Sequence, residues 1–366
     1  MDQQMPIFPQ GRAALFEGVG KPFKAINREV PALAEGEILV KNRYTTLCGS
    51  DIHTYCGHRK EPDEVVLGHE IIGDILWLPE GEEFKDYRGE TVQIGDRITW
   101  SIFAVPAGIE APRADMPQKS AGLFKYGHAQ ATDTDLFNGG LADYCVLRPN
   151  TAFLKISPKI PMKVAATISC AHSTVTGALR VAGNIKGKKV LVFGAGLLGI
   201  SCVAMCREAG ASWVGLIDND ASRLSWGEKF GADEQFIFPN NPVDGSFPWP
   251  QADVVFDMTG RPEAMKVGVE SLGLGGTVVW IGAVFPASPV PVDAQRVVRN
   301  LLEIKGLHNY NYDDFVNATI FIEQNFEKYP FEELVEKEYT LDQIAEAFKY
   351  ASEQKPVRVG INIDND

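Results

Sequence analysis

Hydrophobic residues in the first half of the chain come in short runs cut off by Gly and Pro. Glu37-Ile38-Leu39-Val40-Lys41, Ile71-Ile72-Gly73-Asp74-Ile75 and Thr91-Val92-Gln93-Ile94-Gly95-Asp96-Arg97-Ile98 are examples. Runs of this length, rich in Val and Ile and bounded by turn residues, predict strands, and several in succession predict a small β-rich, barrel-like body. Residues 99–138 are polar and studded with Pro and Gly. That is long for a structureless loop, so a functional lobe is expected there. From about residue 172 the rhythm changes. Apolar Val190-Leu191-Val192-Phe193 precedes a helical pattern over 197–209, then come strand-like 214–217, a helical stretch to Phe230, and strand-like 254–256 and 277–281. Strands alternating with helices predict βαβ units and a parallel sheet, an α/β architecture of the doubly wound type. The tail from about 309 offers helical patterns over 313–324 and 341–351 and a last strand over 357–361.

Length and composition narrow the reading. At 366 residues the chain suits two domains, and with 45% hydrophobic and 23% charged residues it reads as globular. A net charge of −13 argues against nucleic acid as a partner, because that affinity rests on Lys and Arg neutralising phosphates. No apolar run reaches the roughly 20 residues that span a bilayer, so no membrane partner is expected. The N-terminus lacks the basic and apolar segments of a secretion signal, and the cytoplasm is the expected location. Six cysteines at 48, 56, 145, 170, 202 and 206 then act as core filler or metal ligands rather than disulfides. Cys202 and Cys206, four apart on an apolar helix, read as core, as do Cys56 and Cys145.

Gly194-Ala195-Gly196-Leu197-Leu198-Gly199 fits G-x-G-x-x-G, follows an apolar strand and opens a helix; Asp218 lies 19 residues beyond Gly199 at the end of the next strand. This context is what a dinucleotide site requires. Gly194 makes the tight turn, Gly196 lets backbone approach the pyrophosphate, and Gly199 lets helix and strand close up. The helix N-terminus at Leu198 supplies unpaired N–H groups. Asp218 can accept bonds from the ribose hydroxyls and repels a 2′-phosphate, which favours NAD over NADP; Arg223 nearby could instead hold that phosphate. A nucleotide-free turn with a solvent-facing Asp is the bland alternative.

Cys48-Gly49-Ser50-Asp51-Ile52-His53 follows one β-like run, Gly68-His69-Glu70 precedes another, and Cys170 lies just before the α/β half. A cleft between domains could gather these two sulfurs and one imidazole, and a catalytic zinc wants three protein ligands and one open position. Spacing alone leaves the set undecided, since a lone Cys or His is more often structural.

Cys48-Gly49-Ser50-Asp51 followed by Gly68-His69-Glu70-Ile71-Ile72-Gly73 resembles the signature of the zinc-dependent medium-chain dehydrogenase/reductase superfamily. Cys170-Ala171-His172-Ser173-Thr174 looks like its third-ligand segment, and Gly194 to Gly199 falls where its cofactor fingerprint belongs. The resemblance covers nearly the whole chain. It implies a Rossmann doubly wound parallel sheet (172–308) inserted in a β-rich, GroES-like catalytic domain (1–171 and 309–366), and a homodimer or homotetramer. It implies Cys48, His69 and Cys170 as zinc ligands, with Glu70 beside the metal as a second-sphere or alternate ligand. Asp51 would accept the other imidazole N–H of His69. Ser50 and His53 match proton-relay positions, Thr174 would brace the nicotinamide, and Arg358 would approach the cofactor pyrophosphate. The implied chemistry is hydride transfer between a small alcohol or aldehyde and NAD, with zinc as Lewis acid.

Residues 98–101, 117–119, 125–128 and 306–310 resemble, within the superfamily, the phosphonate-catabolism-associated alcohol dehydrogenase branch. His58, Arg59, Lys60, Lys119, Lys125 and His128 are then candidate partners for an anionic substrate. Two features depart from the superfamily pattern. The lobe that commonly holds a structural zinc on four cysteines has none here, with Ser120 where one is expected, so one zinc per chain is expected. Residues 77–87 form an insertion expected to lengthen a surface hairpin. The rival readings are a zinc-free enone or quinone reductase of the same fold, and a non-catalytic nucleotide-binding protein.

Overall fold

The computed structural model describes residues 9–79, 83–238 and 247–364. They divide into two compact units: one holds the chain up to Cys170 with Asn311–Glu323 and Phe331 onward, the other holds Ala171–Tyr310 and Gln324–Pro330.

The first unit opens with strands β1 (Gln10–Phe16), β2 (Lys24–Glu29) and β3 (Ile38–Thr46), then helix α1 (Gly49–Tyr55). Strands β4 (Val65–Val66), β5 (Glu70–Trp77), β6 (Arg97–Ala104), β7 (Phe124–Lys125), β8 (Tyr144–Leu147) and β9 (Thr151–Lys155) and helix α2 (Met162–Ala165) follow. In the second unit, helix α3 (Ala171–Ala182) leads into β10 (Lys189–Phe193), α4 (Leu197–Glu208), β11 (Trp213–Asp218), α5 (Ala221–Leu224), α6 (Trp226–Lys229) and β12 (Glu234–Ile237). Then come β13 (Ala252–Asp257), α7 (Pro262–Glu270), β14 (Leu272–Trp280), α8 (Ala294–Arg299) and β15 (Glu303–Gly306). The chain ends with α9 (Tyr312–Asn325), β16 (Val335–Thr340), α10 (Ile344–Gln354) and β17 (Arg358–Asn362).

In the first unit β2-β1-β4 form a small sheet, and a larger one runs β16-β17-β3-β5-β6-β7, with β8 paired to β3 and β9 to β6. Strand β3 is buried along almost its whole length because β5, β8 and β17 all bond to it. Trp100 and Tyr126 are fully buried in the core between these strands; the Tyr126 hydroxyl is 2.6 Å from Thr151 Oγ1 and accepts from the Arg148 N–H at 2.8 Å. A buried phenol needs such partners, and with them its ring contributes a large apolar area.

In the second unit the six parallel strands run β12-β11-β10-β13-β14-β15, the doubly wound order whose switch point lies between β10 and β13. The fold is α/β, as the alternating pattern leads one to expect. Residues 324–330 fold back on this unit: Lys328 Nζ and Tyr329 Oη each reach Glu208 Oε1 at 2.6 Å, and the Tyr329 ring stacks on Phe230.

Two local expectations change, and a third falls partly outside the described residues. The run at 91–98 becomes strand only from Arg97, because Asp96 accepts the Gln93 N–H at 2.9 Å and Gly95 sits at φ +90°, a turn. The helix expected at 341–351 starts as a tight 3-10 turn and extends to Gln354, where Lys355 ends it at φ +51°. Residues 80–82 of the insertion lie outside the described residues; beyond them a bridge pairs Lys85 with Thr91. No helix among the described residues is long and apolar enough to cross a membrane.

Candidate metal and cofactor sites

The pairing of β3 with β5 builds most of the first site. Its register sets Thr46 opposite Glu70, so the chain leaving β3 into Cys48 meets the chain entering β5 from His69. Cys48 caps α1, and Asp51 in that helix accepts the Cys48 N–H at 2.9 Å, closing the turn. Cys170 arrives from the other side on the 3-10 turn Ala166–Ser169; Ser169 Oγ donates to the His69 carbonyl at 3.1 Å. The Sγ atoms of Cys48 and Cys170 and a ring nitrogen of His69 lie within 4.8 Å of one another. All three belong to the first unit, so no cleft between domains is needed to gather them.

This donor set fits a zinc ion. Two thiolates and an imidazole are borderline-soft ligands, and three of them leave one tetrahedral position open. Asp51 Oδ1 lies 3.4 Å from His69 Nδ1, which leaves Nε2 for the metal side. Ser50 Oγ is 3.4 Å from that Nε2. The Cys48 thiol is pushed well below its usual pKa by a hydrogen bond from Cys170 and by the charge of Arg358, while Cys170, the donor, is pushed up. Burial opposes a charged His69, yet Asp51 and Cys48 draw a proton onto it. A cluster that attracts positive charge this way gives up protons to a cation.

Glu70 does not turn into the trio. Its carboxylate takes Arg358 Nε at 3.0 Å and Nη2 at 3.1 Å and the Thr46 hydroxyl at 2.5 Å. Burial pushes its pKa up to about 7 against the pull of Arg358. Arg358 is itself buried in the first unit, bonded to Glu70 and with Nη2 3.9 Å from Cys48 Sγ. His53 lies on α1 one turn beyond Ser50, half-buried, its Nδ1 3.5 Å from His58 Nδ1.

The six proposed anion partners separate into distinct environments. His58 and Lys60 are exposed, and Lys119 is exposed between buried Gln118 and Ser120. His128 packs its ring on His69, centroids 4.8 Å apart, and bonds Glu61 Oε1 at 3.0 Å; Arg59 reaches the same Glu61 oxygen at 2.8 Å. Lys125 is half-buried on β7. Glu61 and Thr46 belong to the site without having stood out in the sequence. Neither sits in a recognisable spacing, and only the fold brings them to His128 and Glu70.

The second site sits in the second unit, where β10 turns into α4. Gly194 adopts φ +101°, and a Cβ on Gly199 would sit 1.6 Å from the Gly194 carbonyl oxygen, so both glycines are required by the turn itself. Gly196, the N-cap of α4, has open space where a Cβ would go, a cradle a phosphate can fill. Leu198 lies half-buried in the first turn of α4. Asp218 ends β11 with Oδ2 accepting the Ala195 N–H at 2.6 Å and Oδ1 the Asp220 N–H at 2.9 Å. Arg223 lies half-buried on α5, its backbone N–H capped by Asp220, and Thr174 is buried on α3. These residues fit a dinucleotide.

Comparison with known proteins decides the family. The alcohol dehydrogenase GroES-like domain matches residues 34–158, and the zinc-binding dehydrogenase family matches residues 198–324. The chain belongs to the zinc-dependent medium-chain dehydrogenase/reductase superfamily. It is thereby an oxidoreductase of the zinc alcohol dehydrogenase class, acting on CH–OH with NAD(P) as acceptor. It is 26% identical over 331 residues to L-threonine 3-dehydrogenase of Edwardsiella ictaluri, covering 87% of this chain and 90% of that one. An alcohol dehydrogenase from Thermotoga maritima superposes with a TM-score of 0.89 at 25% identity, over 97% of this chain and 100% of that one. Benzyl alcohol dehydrogenase from Acinetobacter calcoaceticus shares the fold, with a TM-score of 0.81 at 22% identity, over 98% and 100%.

Proposed function

We propose that this superfamily member holds one zinc per chain on Cys48, His69 and Cys170 and uses NAD to oxidise a small alcohol, or NADH to reduce the aldehyde. Its preferred substrate carries a phosphonate at the end away from the reacting carbon. The observation that carries the reading is the Cys48, His69 and Cys170 trio on three separate elements, within 4.8 Å. A zinc-free reductase has no use for that arrangement. When bound, zinc supplies Lewis-acid polarisation of the substrate oxygen. Asp51 holds the His69 ring, and Arg358 neutralises Glu70 so that no carboxylate competes with the substrate oxygen. Ser50, beside His69 Nε2, accepts the hydroxyl proton as it gives up its own, and His53, one turn along α1, is the group that would take the relayed proton toward solvent. Asp218, at the end of β11, favours NAD, since its charge would repel an extra 2′-phosphate. The lobe at 105–124 has neither Cys nor His, which supports a single zinc.

The test is zinc analysis of protein purified without chelator, followed by NADH formation with n-propanol, L-threonine and hydroxyethylphosphonate. About one zinc per chain is expected. Turnover should be fastest with the phosphonate and lost in Cys48→Ala. Zinc-free protein that reduces an enone but oxidises no alcohol would overturn the assignment.

A further inference from the structure

We propose that His128, anchored by Glu61 and Arg59, is a positioning residue for the metal ligand His69: its ring lies over the His69 imidazole and keeps that ring aimed at the metal. This rests on the zinc reading above and gives His128 a role other than the anion partner first expected of it.

The backbone around His69 is pinned on two sides. The Gly140 N–H donates to the Gly68 carbonyl at 2.7 Å, and Ser169 Oγ donates to the His69 carbonyl at 3.1 Å. The ring is held less tightly. Asp51 Oδ1 stands 3.4 Å from His69 Nδ1, where a strong charge-assisted bond measures about 2.7–2.9 Å. A contact that long sets the direction of the imidazole edge but leaves its plane free to tilt about the Cβ–Cγ bond. Something else has to stop the face of the ring.

His128 supplies that stop. Its ring centroid lies 4.8 Å from that of His69, with the two planes 35° apart, a packed aromatic contact. The His128 ring is fixed in turn. Its Nδ1 is 3.0 Å from Glu61 Oε1, and Arg59 Nε reaches the same oxygen at 2.8 Å. The side chains of His128 and Glu61 are only 8% and 9% exposed. Burial alone would raise the Glu61 pKa, but His128 and Arg59 bring it below the usual carboxylate range. An ionised carboxylate can only accept, so His128 Nδ1 carries the hydrogen. The backbone completes the arrangement. Gly127 sits at φ +73°, and a Cβ there would come within 2.4 Å of the Gly68 carbonyl and 3.2 Å of the His69 Cβ. The segment carrying His128 is thus seated directly on the one carrying the ligand, and the Gly127 N–H locks it by donating to the Asn138 carbonyl at 2.9 Å. Two carboxylate–histidine pairs, Asp51 with His69 and Glu61 with His128, lie ring against ring. Burying a charged carboxylate costs free energy, and bracing the metal ligand is the use this geometry gives it.

Two measurements test this: zinc affinity by competition with a chelator, and the visible spectrum of the cobalt(II)-loaded protein, whose bands follow the geometry of the metal–ligand bonds. In His128→Ala zinc affinity should fall about 10–100-fold and the cobalt bands should shift. His128→Phe, which restores a flat ring while Glu61 keeps Arg59, should recover most of both. Parent-like affinity in His128→Ala overturns the role. So does a fall in affinity with parent-like bands, because His128 would then stabilise the fold without aiming the ligand. A His128→Phe protein as impaired as His128→Ala also overturns it, since the ring face would not be what acts. Should His128→Ala fail to fold, Glu61→Ala releases the same ring from its anchor; shifted cobalt bands are expected, and unchanged bands overturn the proposal. A parent that takes up neither zinc nor cobalt overturns the metal reading itself.

Discussion

Asp51 and Asp218 illustrate how much one carboxylate can organise. Asp51 is wholly buried, caps the turn at Cys48 and faces His69 Nδ1 at 3.4 Å. Replacing it with Asn keeps the shape but removes the charge that fixes the imidazole. Zinc affinity should fall about 10–100-fold, read by competition with a chelator. An unchanged affinity would show that Asp51 serves the helix alone. Asp218 holds the glycine turn through the Ala195 N–H and leaves its charge at the cofactor pocket. In Asp218→Ser the ratio of NADPH to NADH affinity should rise at least about tenfold, a change of about 1.4 kcal/mol, followed by fluorescence titration. Both aspartates were legible in the sequence because each stands at a fixed offset from a motif. Glu61 was not. Its meaning comes from His128, 67 positions later, and no spacing rule connects them.

At the scale of elements, glycines at close approaches carry the strongest expectations. Gly127→Ala would place a methyl against the Gly68 carbonyl in a left-handed backbone. It should cost at least about 1–2 kcal/mol, with zinc affinity reduced because the strain falls on His69. Thermal melts with and without zinc would reveal it, and a neutral result would deny that this segment supports the ligand. Gly199→Ala, with its Cβ at 1.6 Å from the Gly194 oxygen, should abolish NADH binding in titration. Most strands and helices could be read from periodicity, since a buried face repeats every second or fourth residue. The run at 91–98 could not, because Gln93, Gly95 and Asp96 form a turn inside an alternating pattern. There the hydrogen bonding of a short polar side chain outweighs hydrophobic alternation.

For the whole molecule, the first unit ties together residues as distant as Cys48, Cys170 and Arg358, and a metal at their meeting point would cross-link them. Zinc removal by chelator should therefore lower the melting temperature by about 2–4 °C for each kcal/mol of binding energy lost, seen by calorimetry. If stripped and loaded protein melt together, the trio does not hold zinc in the folded state. The sequence by itself determined the α/β half with its glycine turn and the β-rich half, because these are written in local periodicity and short motifs; the three donors it offered only as candidates, which the family resemblance singled out. Only the tertiary structure decided that the donors meet inside one unit, that Arg358 bonds Glu70 and lies against Cys48, and that His128 stacks on His69 and bonds Glu61. Those outcomes depend on strand register and on packing between segments far apart in the chain, where no residue's neighbours in sequence record its neighbours in space.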